Sequence, residues 1–384
     1  MSVPALRFKD DDGKDFPEWE EKILEELADV STGNKDTQNK IDDGLYPFYV
    51  RSQTVERINS FAYDGEAILT SGDGVGVGKN FHYINGKFDY HQRVYCIFNF
   101  KNQVSGLYIF YYFSEKFYKR VMGLSAKNSV DSIRRSMITE MPISIPSLPE
   151  QTKIANFLTS VDEKISLLTQ KADLLSQYKK GVMQQIFSQE LRFKDDDGQE
   201  FSGWEEKTLG ETVTIRSGIS PSSYVLSSFD TYPFLKVEDM NNCSKYQEQS
   251  REYSNSRKNL VPKNSIIFPK RGAAILNNKV RVMRSEFLMD SNLMALTPHN
   301  NQINFEFLYY KLCKEQLFKI ADTSSVPQIN NKHILPYIIY LPSLPEQTKI
   351  ANFLTAIDDK ITNHQTQLNA LKQYKQGLLQ QLFV

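Results

Sequence analysis

Apolar residues recur in alternating steps of four and three along two long stretches of this chain. The first runs through Ile154, Leu158, Val161, Ile165, Leu168, Ala172 and Leu175, and continues with Tyr178, Val182 and Ile186. The second runs through Ile350, Leu354, Ile357, Ile361, His364, Leu368 and Leu371, then Tyr374, Leu378 and Leu382. That spacing keeps one face of a helix apolar with the period of a coiled coil. Each run opens on Ser-Leu-Pro-Glu, at Ser147–Glu150 and Ser343–Glu346. This predicts a capping box in which the Ser hydroxyl takes an amide of the first turn and the Glu reaches back, with proline where no amide is needed. About 40 residues at ~1.5 Å each give rods of roughly 60 Å. Neither rod can bury its seam alone, so the two should pair. The first delivers the chain through Ser188-Gln-Glu190 to a second region, and the other must return from it. The pair is therefore expected to be antiparallel, related by a pseudo-two-fold axis.

Between these runs the pattern shortens. Tyr46–Val50, Ala67–Thr70, Phe81–Ile84 and Arg93–Phe98 are rich in aromatic and β-branched residues and are bounded by Gly, Asn and Asp, which predicts strands. Helices are expected near Gly106–Val121 and Phe305–Ile320. A last strand, Ile143–Ile145 or Tyr337–Leu341, leads through proline into each rod. The expected fold class is α+β or α/β, with twisted mixed sheets joined by the two long helices.

The chain is also written twice. Ser147–Thr159 recurs unchanged at Ser343–Thr355, and Leu6–Gly13 returns as Leu191–Gly198. Each long run ends in a Gln-Gln pair, Gln184-Gln185 and Gln380-Gln381. The stretches between the copies share almost nothing. A period of about 190 residues is too long for a solenoid, so this is a duplicated domain-plus-helix module. The predicted domains are 1–146, a first recognition domain; 147–190, a helix; 191–342, a second recognition domain; and 343–384, a second helix. The C-terminal Gln-Gln-Leu-Phe-Val ends where the first copy continues into Leu-Arg-Phe-Lys. Leu6–Lys9 should accordingly sit beside the end of the second helix, closing a circular arrangement.

Net charge is zero over the 384 residues, but its distribution is uneven. Residues 9–29 hold ten carboxylates against three lysines. Lys79–Arg135 carries ten Lys/Arg against Asp89, Glu115 and Asp131, and Ser250–Arg284 carries nine against Glu252. A charge run is usually a solvated face. One in each of two unrelated inserts points instead to a phosphate-facing surface. Cys96, Cys243 and Cys313 lie far apart without Cys-x-x-Cys spacing, as expected of reduced thiols in a cytoplasmic protein. No run of eighteen apolar residues and no signal-peptide core occurs, so no membrane association is expected.

Catalytic constellations are missing from the sequence. Ser71–Lys79, with four alternating glycines, resembles a phosphate loop, but Asp73 and Asn80 stand where a Walker loop needs Gly and Ser/Thr. A side-chain-free loop, either a turn or one that approaches a DNA backbone, fits better. The five histidines form no metal spacing. Asp162-Glu-Lys164 resembles a nuclease set only faintly and lies on a helix that needs charges outside its seam. Candidate DNA contacts are Lys79, Arg93, Lys127, Arg134 and Arg135 in the first insert. In the second they are Ser220, Lys270, Arg271, Asn277, Lys279, Arg281 and Gln328. Residues kept in both copies are candidates for docking two copies of one partner. They are Lys153, Phe157, Gly181 and Gln184, with Lys349, Phe353, Gly377 and Gln380.

The Ser-Leu-Pro-Glu-Gln-Thr-Lys-Ile frames and the helices ending in Lys180–Gln185 and Gln376–Gln381 resemble the conserved regions of type I restriction-modification specificity subunits. Tyr46–Arg51, Gly65–Leu69, Gly72–Gly78 and Gly86–Arg93 resemble one target-recognition domain of that family. Ser217–Pro221, Tyr232–Lys236 and Ile267–Gly272 resemble another. The resemblance implies a non-catalytic DNA reader of a host-defence system, each domain reading one half of a bipartite duplex site. The helices would serve as a ruler and as the dock for two methyltransferase subunits, with restriction/translocase subunits joining through the methyltransferase core. It implies no cofactor on this chain, with S-adenosylmethionine, ATP and Mg2+ on the partner subunits. Val130-Asp-Ser-Ile133 stands where the second domain has Val326-Pro-Gln-Ile329, so Ser132 cannot repeat whatever Gln328 does. The alternatives are a non-catalytic coiled-coil adaptor that binds proteins, or a nucleotide-dependent enzyme built on the glycine loop.

Overall fold

The computed structural model describes residues 4–124, 132–322 and 326–383. The first half of the chain forms β1 (Glu20–Ile23), α1 (Leu24–Leu27), β2 (Asp29–Thr32), β3 (Tyr46–Tyr49), β4 (Val55–Ile58), β5 (Tyr63–Ser71), β6 (Phe81–Tyr90) and β7 (Val94–Phe98). It ends with α2 (Gly106–Leu124), α3 (Arg135–Thr139), β8 (Pro142–Ile145) and α4 (Leu148–Phe187). The second half forms β9 (Glu205–Thr208), α5 (Leu209–Thr212), β10 (Val213–Ser217), β11 (Tyr232–Leu235), β12 (Tyr246–Gln247), β13 (Glu252–Ser254), β14 (Ile266–Pro269), β15 (Arg281–Met283), β16 (Leu288–Met289) and β17 (Leu293–Pro298). After these come α6 (Phe305–Glu315), α7 (Asn331–Ile334), β18 (Ile338–Leu341) and α8 (Leu344–Leu382). The chain folds as two compact units, residues 1–169 with 366–384, and residues 170–365. The division falls inside both long helices. Half of each helix packs into each unit, whereas the sequence suggested helices separate from the recognition domains.

In the first unit a six-stranded mixed sheet has the order β2-β7-β5-β6-β3-β4, with β3 and β6 parallel and the other pairs antiparallel. Helix α2 buries Ile109, Phe113, Phe117 and Val121, a stripe at steps of four, in a core shared with Ile68 and Ile97 of the sheet. The same core takes Ile154, Leu158 and Val161 from the start of α4, Leu378 and Leu382 from the end of α8, and Phe383 just beyond it. The start of one helix thus meets the end of the other, the antiparallel order inferred from connectivity. The Leu6 amide donates to the Gln381 carbonyl at 3.2 Å, so the N-terminal segment does lie beside the end of the second helix.

In the second unit the order β10-β17-β14-β15-β12 repeats the β2-β7-β5-β6 core of the first, and a three-stranded sheet β13-β11-β16 is added. The core draws Val182, Ile186 and Phe187 from α4 and Ile350, Leu354 and Ile357 from α8. Lys245, 6 % exposed, ties this insert to α6 and α8. Its Nζ lies 2.5 Å from Glu306 and donates to Tyr310 Oη at 2.8 Å and Thr355 Oγ1 at 3.0 Å. Burial pushes the Lys245 ammonium below the usual lysine range, against the opposing pull of Glu306. The helix expected over Phe305–Ile320 is broken once: α6 ends at Glu315 and a 3-10 turn takes up Leu317–Ile320. Gln316 takes a left-handed conformation (φ +58°), and Asn278 captures the helix end by donating to the Cys313 carbonyl and accepting from the Leu317 amide.

Two features of the long helices differ from the sequence reading. The Ser147 and Ser343 hydroxyls bond no partner among the described residues, so the capping boxes do not form. Glu150 instead receives a bidentate contact from Arg7 (2.7 and 3.1 Å) and Trp19 Nε1 at 3.1 Å, while Glu346 receives Arg192 at 2.7 and 3.1 Å. A fully buried carboxylate finds more from a guanidinium than from a backbone amide. Tyr178 and Tyr374, assigned to the seam, are both 53 % exposed.

Candidate nucleic-acid interface

The strongest site geometry is a loop that occurs once in each unit, on frames the sequences do not visibly share. In the first unit it leaves β5 at Gly72. The Gly72 amide donates to the Arg93 carbonyl (2.7 Å), and its carbonyl accepts from the Ile133 amide (2.7 Å). In the second unit it leaves β14 at Lys270, whose amide donates to the Asn292 carbonyl (2.8 Å) and whose carbonyl accepts from Ile329 (2.9 Å). The next residues, Asp73 and Arg271, bridge Ser132 and Gln328. Gly74 (φ +84°) and Gly272 (φ +75°) follow, each accepting at 3.1 Å from the amide three residues on, Val77 or Ile275. Both of those side chains are buried, at 4 % and 2 % exposure. Glycine is needed at the turn because other residues pay steric strain at positive φ.

On this shared frame the chemistry differs position by position. Gly72 answers to Lys270, Asp73 to Arg271, Lys79 to Asn277, Arg93 to Asn292 and Ser132 to Gln328. Asp73 is flanked by cations, with Arg51 Nη1 at 2.8 Å and Arg93 Nη1 at 3.2 Å. Arg93 is thus present at the loop but ion-paired. Lys79 is exposed and lies 5.1 Å over the Tyr118 ring. Arg134 and Arg135 are exposed at the start of α3, next to the Ser132 strand. Lys127 lies outside the described residues. In the second unit Arg271 and Asn277 are exposed, whereas Lys270 is half-buried and its ammonium lies below the usual range through burial and the neighbouring Arg271. The Gln328 backbone amide donates to Asp322 Oδ1 at 3.1 Å.

Three candidates are held elsewhere. Arg281 turns inward from β15 and donates to the carbonyls of Val280 (2.8 Å) and Met240 (2.9 Å). A guanidinium spent on backbone carbonyls in a half-buried setting supports the sheet. Lys279 donates to Asn241 Oδ1, and Ser220, exposed, pairs with Ser222 at 2.8 Å. Sequence reasoning missed Arg51, Asn292 and the anchors Val77 and Ile275. Arg51 and Val77 carried a signal, as members of the quoted stretches Tyr46–Arg51 and Gly72–Gly78; Asn292 and Ile275 carried none. The glycine loop returns into β6 rather than opening a helix, so it lacks the helix N-terminus on which a phosphate loop depends.

The repeated frames are largely used inside each unit. Lys153 Nζ donates to the Lys9 carbonyl (2.8 Å) and Asp11 (2.6 Å), and Phe157 packs edge-on against Phe8 at 5.5 Å. Lys349 and Phe353 repeat this with Lys194, Asp196 and Phe193. The Gln151 and Gln347 side chains each accept an amide ahead of α2 or α6 and donate to two carbonyls. Gly181 and Gly377 differ, because a Cβ at either would meet no described atom within 4 Å. Gln184 and Gln380, three residues on, are exposed.

No group of three or more His, Cys, Asp or Glu able to hold a metal occurs among the described residues, and no described helix is long and apolar enough to cross a membrane. Among solved structures, the chain is similar to the specificity subunit of a type I restriction-modification system from M. genitalium. That likeness has a TM-score of 0.68 at 19 % identity, covering 100 % of this chain and 99 % of that one. A chain from a structure of type I R-M complex assembly and conformational transition matches with a TM-score of 0.55 at 16 % identity, over 96 % and 98 %. These likenesses establish the fold. The EcoDI type I restriction enzyme specificity subunit of Escherichia coli is 24 % identical over 94 % of this chain and 87 % of its own length. A putative type I specificity subunit of Mycoplasma pneumoniae is 23 % identical over 85 % and 86 %. The model of the type I restriction modification DNA specificity domain matches residues 17–177 and again 201–373, and with both halves accounted for in this way the chain belongs to that family.

Proposed function

We propose that the chain is the DNA-reading subunit of a type I restriction-modification complex, with each unit reading one block of a bipartite duplex site. The observation that carries this is the shared loop. One backbone frame appears in two units, and its positions are filled with different chemistry, Asp73, Lys79 and Ser132 against Arg271, Asn277 and Gln328. Duplicated packing would explain the frame alone. Two readers of different sequence explain why the frame is kept and the side chains are not. Arg, Asn and Gln suit major-groove edges, and the remaining cations suit phosphates.

Tyr178, Gly181 and Gln184 on α4 are exposed, as are Tyr374 and Gln380 on α8 with Gly377 half-buried between them, and each set is spaced three apart on one helix face. They are repeated yet serve no described internal contact that would keep the glycines. These two patches are the proposed docks for two methyltransferase subunits, which would hold S-adenosylmethionine and carry restriction/translocase subunits with ATP and Mg2+. This chain does no chemistry itself.

Single-molecule methylation mapping of a host genome tests the reading. Two unlike short blocks should appear, separated by unread bases, with centres roughly 34–36 Å apart along the duplex. Adding a heptad at both mid-helix junctions, after Thr169 and after Gln365, should lengthen the spacer and leave the blocks unchanged. A contiguous or palindromic target would overturn the two-reader assignment.

A further inference from the structure

Val75 and Leu276 are exposed aliphatic side chains on the same loop of the two units. Val75 is fully exposed and Leu276 is 60 % exposed. Neither holds the loop in place, because Val77 and Ile275 supply its buried anchors. Gly74 (φ +84°) and Gly78 (φ +67°) reverse the chain on either side of Val75. A Cβ at Gly76 would collide with Asn80 Nδ2, so the neighbouring positions stay bare and Val75 stands alone at the tip. Around it lie Arg51 and Arg93 on Asp73, and Lys79 over Tyr118. Leu276, which takes the place of Gly78 in the loop register and follows the anchor Ile275, lies on the segment that holds Arg271 and Asn277. Single exposed aliphatic residues are ordinary on protein surfaces. One on each copy of the shared loop, beside the candidate DNA contacts, calls for an apolar partner within a polar ligand.

We propose that Val75 and Leu276 each pack on the C5-methyl group of a thymine in the major groove. This rests on the DNA-reading function proposed above. The thymine methyl is the one apolar group that the major-groove edges of the four base pairs display. A polar side chain at the tip would read hydrogen-bonding groups, whereas an aliphatic one gains only by covering that methyl. The contact adds discrimination at a base that Arg, Asn and Gln do not reach.

Deoxyuridine tests this directly, since it keeps every hydrogen-bonding group of thymine and lacks only the methyl. The full-length chain is used to select binding sequences from a random duplex pool. Affinities are then measured for the selected duplex with each thymine of each block replaced singly by deoxyuridine. One thymine in each block should respond with about a fourfold loss, the value of burying one methyl-sized group. Val75→Ser should abolish that response in one block and leave the other intact, and Leu276→Ser should do the converse. Both positions are exposed, so the untouched block reports that the variant is folded. Blocks without a thymine, equal binding of thymine and deoxyuridine throughout, or a response that survives both substitutions would overturn the proposal. If Val75→Ser weakens binding while deoxyuridine is tolerated, the side chain wedges between base steps, and the methyl contact is wrong. If no sequence is enriched at all, the DNA-reading function itself fails, a result distinct from each of these.

Discussion

Lys375 Nζ on α8 lies 2.6 Å from Asp162 Oδ1 on α4. The other oxygen of the same carboxylate accepts from Tyr111 Oη of α2 at 2.9 Å, so one acidic side chain joins both long helices to the globular part of the first unit. The second unit repeats the arrangement with the helices exchanged. Lys179 of α4 meets Asp358 of α8 at 2.5 Å, and Tyr310 of α6 donates to Asp358 at 2.6 Å. Apolar seams tolerate slippage by a heptad, whereas a paired charge in each unit admits one register.

Removing one partner tests that lock. Asp162→Ala leaves Lys375 and Tyr111 without their shared acceptor. The pair is partly exposed, so the cost lies between surface and buried values, about 1–2 kcal/mol. For a unit of this size the melting temperature should fall by roughly 2–4 °C per kcal/mol. Asp162→Lys combined with Lys375→Asp should recover part of the loss, though Tyr111 would then face an ammonium. Scanning calorimetry of the full chain measures both, and an unchanged transition in Asp162→Ala would remove the pair from the register argument.

The Arg7–Glu150 and Arg192–Glu346 clasps should be costlier to break, because both carboxylates are 0 % exposed. Arg7→Ala strands Glu150 with Trp19 as its remaining described donor, a loss of about 3–5 kcal/mol for an uncompensated buried charge. Trp204 Nε1, the counterpart of Trp19, bonds no partner among the described residues, so Arg192→Ala should cost at least as much as Arg7→Ala. Hydrogen exchange should show the segments before β1 and before β9 released in the respective variants. Protection unchanged in both would mean that the clasps do not hold these segments.

These clasps also mark how far the sequence was legible. The seam residues Ile154, Leu158 and Val161 announce a helix by local spacing, and they are buried as that spacing requires. The antiparallel order follows from connectivity alone. Glu150 was misread because its partner, Arg7, lies far along the chain, and local rules see only the nearby cap. The loop frame was hidden for a different reason. Gly74 and Gly272 share a backbone conformation, Val77 and Ile275 share burial, and the residues between them differ, so the likeness lies in φ angles and hydrogen bonds rather than letters. Basic residues could be counted, but Arg281 and Arg271, ten positions apart, turn to opposite environments, which the count does not record.

Opposite charges at the equivalent positions Asp73 and Arg271 should have opposite effects on DNA binding. Asp73→Asn frees Arg51 and Arg93 from their ion pairs and should steepen the salt dependence of binding by about one unit of log K against log salt. Arg271→Asp should make it shallower by about one unit if Arg271 faces a phosphate. If Arg271 instead contacts guanine, the slope should hold while discrimination at one base relaxes by about 1–3 kcal/mol. Titrations of the full chain between low and moderate salt separate the cases. Identical slopes and sequence preference in both variants would remove this loop from the interface.

Gly181 and Gly377 offer the cleanest separation of folding from docking. A glycine within a helix costs about 1 kcal/mol relative to alanine, and no described atom of this chain would obstruct a Cβ at either position. Gly181→Ala should therefore stabilise the isolated chain slightly, by up to about that amount. Gly181→Leu should leave the chain folded and able to bind DNA but block close approach of a partner helix, so that one methyltransferase subunit is lost. Gly377→Leu should lose the other, and the double variant both. Native mass spectrometry counts the subunits directly. Two methyltransferases still bound to the double variant would contradict the assignment, as would a single one bound to the unmutated chain. In either case the glycines would be left without a structural reason, since no described contact inside the protein requires them.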